Sequence, residues 1–347
     1  MFTLIRRILF MMAPEKAHHF TMYWIHVFLR IPVLSLFVTT KVGNERRLSS
    51  EIAGIRFPNR IGMAAGFDKD AKYFDDLGKM GFGFVEIGTV TPFGQHGNPK
   101  PRLFRLPADH ALINRMGFNN EGAKAAAARL DERADRKLII GGNIGKNKNT
   151  PNEIAENDYL VCFRELHPYV DYFTLNVSSP NTPGLRELQD KDALKKLLNT
   201  IQNANNEMPI QRPIFLKIAP DLTIEQIDDV ISIVHETGIQ GIVATNTTIS
   251  RDGLQTPKEK VDAIGAGGLS GAPLKDRAGE VLRYLRKNCK PEIILMSSGG
   301  IMDAEEAMKR LSDGADLVQL YTGFIYEGPG LLKRIKKKLL NQIHNNL

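Results

Sequence analysis

Cysteine is nearly absent from this 347-residue sequence: Cys162 and Cys289 are the only two, with no CxxC spacing and no histidines placed to complete a metal site. Such scarcity argues against a disulfide framework and a zinc site, and suits a reducing cytosolic compartment. Long hydrophobic runs are missing too, since none reaches the roughly 18–20 apolar residues that a bilayer-spanning helix needs. Arg6 and Arg7 before Ile8 to Ala13 look like the start of a signal peptide. Pro14, Glu15, Lys16 and His18 follow at once, with no small-residue cleavage site, so the segment is expected to be retained. No low-complexity tract or linker marks off a second catalytic domain. Nucleic-acid binding is not expected either. The basic run Lys333, Arg334, Lys336, Lys337 and Lys338 has no aromatic or loop partners and reads as a solvated helix face.

What is present is an ordinary globular balance, 42% apolar and 24% charged, in a chain long enough for one large α/β barrel plus an appendage. The formal charge of +7 could attract a phosphate, anionic lipid or an acidic substrate, but is silent about fold. Residues 1–45 differ in kind from the rest. Pro14 and Pro32 punctuate two helices, and Phe20, Tyr23, Trp24, Val27, Phe28 and Ile31 recur at helical spacing as one apolar stripe. That stripe suits either a helix pair packed on its own domain or an interfacial hairpin dipping into one leaflet, with Arg6, Arg7, Lys16 and Arg30 near the headgroups.

Over residues 46–347 the pattern changes to short apolar strands alternating with amphipathic helices. Strands are expected at 60–65, 84–88, 138–143, 172–176, 214–218, 241–245, 293–297 and 317–320. Eight β/α units in succession predict an α/β fold closed as a (β/α)8 TIM barrel. The long interval between the second and third strands leaves room for inserted strands near Arg102 to Leu106.

Barrel enzymes carry their chemistry on the loops after the strands. Here those positions hold Asn143, Asn176, Ser179, Asn181, Lys217, Thr245 and Asn246. One asparagine there is ordinarily a turn residue. Several together offer both donors and acceptors, which suits a planar ring with alternating C=O and N–H groups, such as a pyrimidine or a flavin. Gly267-Gly268-Leu269-Ser270-Gly271, Gly299-Gly300 and Tyr321-Thr322-Gly323 add backbone N–H groups suited to a phosphate. Lys217 ends the apolar strand Ile214-Phe215-Leu216, where a charge is costly without a partner. A reduced flavin would give that cation a use. Lys69 could hold a substrate carboxylate.

The strings AAGFDK (64–69), INRMGFNN (113–120), NVSSPNTPGLR (176–186), FLKIAPD (215–221) and SSGGI (297–301) resemble, in order and over essentially the whole chain, the dihydroorotate dehydrogenase family. The resemblance implies FMN-dependent oxidation of dihydroorotate to orotate in pyrimidine biosynthesis. It assigns the FMN site to Ala65, Gly66, Lys69, Thr89, Asn143, Asn176, Lys217, Thr245, Gly271, Gly300, Tyr321 and Thr322. The orotate site falls on Lys69, Asn114, Arg115, Met116, Gly117, Phe118, Asn176, Asn181, Asn246 and Thr247. Ser179 is the implied base, taking the C5 proton while hydride leaves C6. A hydroxyl is a weak base, so a relay through water or Thr182 is expected.

Serine rather than cysteine at 179, and the extension with Glu15-Lys16-Ala17-His18, resemble class 2, the membrane-associated, quinone-using enzymes. This favours the interfacial hairpin over the packed pair, with residues 1–45 as its segment. It places His18, Arg105 and Tyr321 on a quinone tunnel, and implies a monomer held peripherally on the cytoplasmic side of the inner membrane. The rival enzyme is a soluble FMN dihydropyrimidine or dihydroorotate oxidoreductase using fumarate or NAD. A tRNA dihydrouridine synthase would need a catalytic cysteine, and Cys162 and Cys289 are badly placed. A phosphate-binding scaffold would leave the asparagines and lysines unused.

Overall fold

The computed structural model describes residues 2–43 and 45–345. Met1, which the sequence reading places in the first helix, lies outside them, as do position 44 and the last two residues. Each expected apolar run forms a strand: β1 (Ile61–Asp68), β2 (Phe84–Val90), β3 (Ile139–Ile144), β4 (Tyr172–Asn176), β5 (Ile214–Ile218), β6 (Gly241–Ala244), β7 (Ile294–Ser298) and β8 (Leu317–Leu320). They pair in parallel, in chain order, and β8 returns to β1, closing an eight-stranded barrel. The strands are largely apolar because helices cover the outside while side chains fill the inside, with buried polar groups such as Glu86 and Lys217 on the inner face.

Phe84, Tyr172, Phe215, Met296 and Leu317 make one layer at the barrel floor, and Phe57 from the hairpin Ser50–Ile52/Ile55–Phe57 plugs it from below. Two glycines make room for these rings. A Cβ on Gly62 or Gly141 would stand 2.2 Å from Phe84 or Tyr172. The helix Ile224–Thr237, between β5 and β6, starts at a capping box in which Thr223 and Gln226 satisfy each other's backbone N–H.

The mouth carries insertions. Leu103–Leu106, Ala111–Asn114 and Gly268–Gly271 form an antiparallel three-stranded sheet. The segment read as a glycine loop, Gly267 to Gly271, is therefore mostly strand. Its backbone groups go to the ladder with Ala111–Asn114 rather than standing free for an anion.

The extension has three helices, α1 (Phe2–Met11), α2 (Pro14–Arg30) and α3 (Pro32–Val38), where two were expected. Pro32 sits at the first position of a new helix, where its missing N–H costs nothing, instead of ending the old one. The stripe also divides differently. Met22 and Ile25 of α2 and Val38 of α3 join the main core, whereas Phe20, Tyr23, Trp24 and Ile31 are exposed. The basic run near the C-terminus, expected to be solvated throughout, contains one buried member. Lys336 donates to the Thr40 carbonyl at 3.1 Å and pairs with Glu45, so it fastens the end of the extension to the barrel.

Candidate active site

β4 ends at Asn176, directly opposite Lys217 at the end of the paired strand β5. The loops after the strands close around a polar cleft lined by Lys69, Asn114, Asn176, Ser179, Asn181, Lys217, Thr245, Asn246, Thr247, Gly300, Tyr321 and Thr322. Ala65, Gly66, Thr89, Met116, Gly117 and Phe118 complete the walls, so the structure brings together nearly all the residues proposed from sequence.

Three do not line the cleft as expected. Asn143 lies behind it, fully buried, accepting from the Thr89 hydroxyl at 2.6 Å. Gly271 ends the mouth sheet beside His110. Arg115 turns away altogether: its guanidinium donates to the Ile264 and Ala266 carbonyls and stacks 4.5 Å from the Phe104 ring centre. Alternating side chains on an extended segment face opposite ways, which sends Asn114 and Met116 inward and Arg115 outward.

The four cleft asparagines are wired in two pairs. Asn176 donates to the Thr89 hydroxyl at 2.8 Å and accepts from Asn246 at 3.2 Å. Asn181 donates to Asn114 at 3.0 Å, and Asn114 in turn to the Gly268 carbonyl at 3.3 Å. Ser179 is buried, and its hydroxyl oxygen accepts the Asn181 N–H at 3.3 Å. Among the described residues no histidine or carboxylate hydrogen-bonds to it. Thr182, three residues on, is buried with its hydroxyl unpartnered.

Charge in the cleft is positive. Lys217 is buried with neither a hydrogen bond nor an ion pair among the described residues, and burial pushes its pKa down against the pull of Glu86. Lys69 is half-buried and donates to the Gly66 carbonyl at 2.9 Å; burial lowers its pKa to about 8, with Asp70 and Glu15 opposing. At the far wall Gly300 lies against the first turn of the helix Lys275–Asn288, so closely that a Cβ would meet the Lys275 Cα at 2.3 Å. Only a residue without a side chain permits that approach, which brings the Gly299–Gly300 backbone into the cleft wall.

A second cavity, about 720 Å³ and mostly apolar, lies between the extension and the barrel. Gly66, Lys69, Met116 and Tyr321 belong to the walls of both spaces, so the apolar chamber abuts the polar cleft. His18, Arg105 and Tyr321 all line the chamber. The His18 ring packs edge-on to Phe67 with centres 4.8 Å apart, and burial pushes its pKa down to about 3. Arg105 donates to the Met12 carbonyl at 2.7 Å and stacks over Phe10.

Sequence reasoning missed Leu274, Met302 and Gln319 in the cleft wall. It also missed Glu86, although a lone acid in Phe84-Val85-Glu86-Ile87 is the same kind of signal as Lys217 in its strand.

The sequence model of the dihydroorotate dehydrogenase family matches residues 47–343. The chain belongs to this family. Among curated dihydroorotate dehydrogenases, the quinone enzyme of Christiangramia forsetii is 52% identical over 341 residues, covering 98% of each chain. That of Brucella anthropi is 47% identical, covering 97% of this chain and 90% of its own. The crystal structure of the Eimeria tenella dihydroorotate dehydrogenase with ferulenol superposes with a TM-score of 0.85 at 37% identity, covering 96% of this chain and 92% of that one. Its ligand-free form gives 0.86.

Proposed function

We propose that this chain oxidises dihydroorotate to orotate with a quinone as electron acceptor, using FMN held in the polar cleft. The observation that carries the reading is the shared wall. A cleft of asparagines around Ser179 meets an apolar chamber at Gly66, Lys69, Met116 and Tyr321, so a polar heterocycle and an apolar acceptor can approach one site from two sides.

The residues fit FMN. Lys217 is a buried cation without a hydrogen bond or ion pair among the described residues, Gln319 keeps a buried amide oxygen unpaired in the same wall, and the Gly299–Gly300 backbone, free of side chains, suits the phosphate. Ala65, Gly66, Lys69, Thr89, Asn176, Thr245, Tyr321 and Thr322 would complete that site, with Asn143 supporting it from behind and Gly271 at its edge. When bound, FMN supplies the two-electron acceptor that links substrate to quinone.

The chain's own residues do the rest. Lys69 holds the substrate carboxylate, while Asn114, Asn176, Asn181 and Asn246 read the donors and acceptors of the ring, with Met116, Gly117, Phe118 and Thr247 enclosing it. Ser179 Oγ takes the C5 proton and passes it toward the unpartnered Thr182 hydroxyl through water. The buried loop excludes bulk water from that step.

Residues 1–45 form the quinone-admitting segment, with His18, Arg105 and Tyr321 on its route. No helix of the described residues is long and apolar enough to cross a membrane. Phe20, Trp24 and Phe37 are exposed yet also line the chamber, so they stand at its rim, which supports peripheral attachment to a membrane; the cytoplasmic face of the inner membrane is the side proposed. The test is anaerobic bleaching of the bound flavin by dihydroorotate, followed by recovery with quinone, fumarate or NAD. Recovery with quinone alone is expected. Recovery only with fumarate or NAD would contradict the reading.

A further inference from the structure

Glu86, in the middle of β2, is a carboxylate wholly enclosed by the barrel, and every group that touches it donates. Asn143 Nδ2 reaches Oε1 at 2.8 Å. Gln319 Nε2, the Thr174 hydroxyl and the Tyr172 hydroxyl reach Oε2 at 2.8, 3.1 and 3.2 Å. Four donors and no acceptor suit the ionised form, which can only accept.

An amide facing such a group must present its NH2, and its oxygen then faces the other way. Asn143 accordingly turns Oδ1 to the Thr89 hydroxyl and, at 3.4 Å, to Asn176 Nδ2. The Thr89 hydroxyl, having given its proton to Asn143, accepts from Asn176. That leaves Asn176 Oδ1 for Asn246 Nδ2 and for the Ser178 hydroxyl, each at 3.2 Å. Each link fixes the next, from the barrel interior to the residue beside Ser179. A buried carboxylate also needs a cation. Lys217 has no ion-pair partner among the described residues. It stands in register with Asn176, two residues beyond Thr174, and lines the same cleft wall as Gln319, so it faces the barrel interior beside two of the groups that donate to Glu86. Glu86 is the charge that opposes the effect of burial on it.

We propose that Glu86 is a positioning residue of the flavin site, the counter-charge to Lys217 and the group that fixes the donor–acceptor direction of the Asn143–Asn176–Asn246 chain. This rests on the reading of the cleft as the FMN and substrate site.

The test compares the wild type, Glu86→Gln, Lys217→Met and the double variant. It measures the midpoint potential of bound FMN by spectroelectrochemistry, and FMN affinity by titrating the apoprotein. Glu86→Gln, nearly isosteric, leaves the buried Lys217 without its counter-charge, so the lysine gives up its proton and the reduced flavin loses the cation that lines the cleft. The reduced-to-oxidised affinity ratio should therefore fall about tenfold, a downward shift of about 30 mV for a two-electron couple. In the Lys217→Met background the shift should vanish, and Glu86→Asp, which keeps the charge, should stay nearer the wild type than Glu86→Gln does. No shift, an upward shift, or an equal shift in both backgrounds overturns the proposal. If Glu86→Gln fails to fold, the double variant decides, since removing both buried charges restores neutrality. Folding and FMN uptake restored by Lys217→Met support the coupling, and failure of both variants overturns it. A wild-type apoprotein that takes up no FMN defeats the reading of the cleft itself, and the proposal with it.

Discussion

Arg186 and Asp221 form an ion pair at 2.9 Å that ties two loops of the barrel mouth together. The same guanidinium donates to the Ser178 carbonyl at 3.1 Å and to the Thr247 carbonyl at 3.1 Å. The segment bearing Ser179 is thus fastened to the one bearing Thr247, and Asp221 holds the far side through Thr248 and Ile249. Arg186→Met should lower kcat/KM for dihydroorotate about 10²-fold, the usual cost of a misplacement near 1 Å. FMN content should be unchanged. Wild-type kinetics in that variant would show that the loop needs no such fastening.

The low pKa of Lys69 sets a pH limit. Burial holds it to about 8, so the free enzyme loses this cation as pH rises through that value. If Lys69 binds the substrate carboxylate, kcat/KM for dihydroorotate should fall above about pH 8, while kcat changes less because bound substrate restores the charged form. Lys69→Arg, whose guanidinium stays charged, should remove that decline from whatever activity remains. A pH profile of both parameters checks this, and a flat kcat/KM well past that pH would remove Lys69 from carboxylate binding.

A second ion pair links the extension to the substrate loop. Glu15, in the first turn of α2, accepts both Nε and Nη2 of Arg102 at 3.1 and 3.0 Å. Arg102 also holds the Asn98 carbonyl, and the Asn98 side chain donates to the Asn181 carbonyl at 3.2 Å. Glu15→Gln weakens a charge-assisted contact of about 1.5–3 kcal/mol. It should therefore slow both half-reactions, the reduction by dihydroorotate as well as the reoxidation by quinone. Loss confined to the quinone step in stopped-flow traces would show that the two sites are not connected through Arg102.

Membrane attachment makes a separate demand. Val33 and Leu36 on α3 are 69% and 74% exposed, and neither lines the chamber. Replacing both with Glu should weaken sedimentation with phospholipid vesicles at least tenfold, given about 0.8 kcal/mol per buried CH2. Turnover with a short, water-soluble quinone should persist. Equal vesicle binding by the variant would place the attachment surface elsewhere.

The eight strands were legible because each is a short apolar run bounded by polar turns, and Tyr172–Asn176, Ile214–Ile218 and Leu317–Leu320 form with the expected limits. The cleft was legible because its polar residues follow strand ends. What stayed hidden depended on three-dimensional partners. Nothing local says that Gly268–Gly271 will pair with Ala111–Asn114, or that Lys336, one of the five basic residues in its run, will reach the Thr40 carbonyl. Arg115 was misplaced because a contiguous motif was read as if every side chain faced inward. Glu86 escaped because its donors come from β3, β4 and β8, strands far apart in sequence.

The central claim is that Ser179 takes the C5 proton of dihydroorotate beside a bound flavin. Stopped-flow flavin reduction by dihydroorotate in Ser179→Ala tests it most directly, because this step precedes any quinone. The account predicts a protein that retains FMN and its fold but is reduced about 10²–10⁴-fold more slowly, the usual worth of a general base. Reduction at close to the wild-type rate would contradict it.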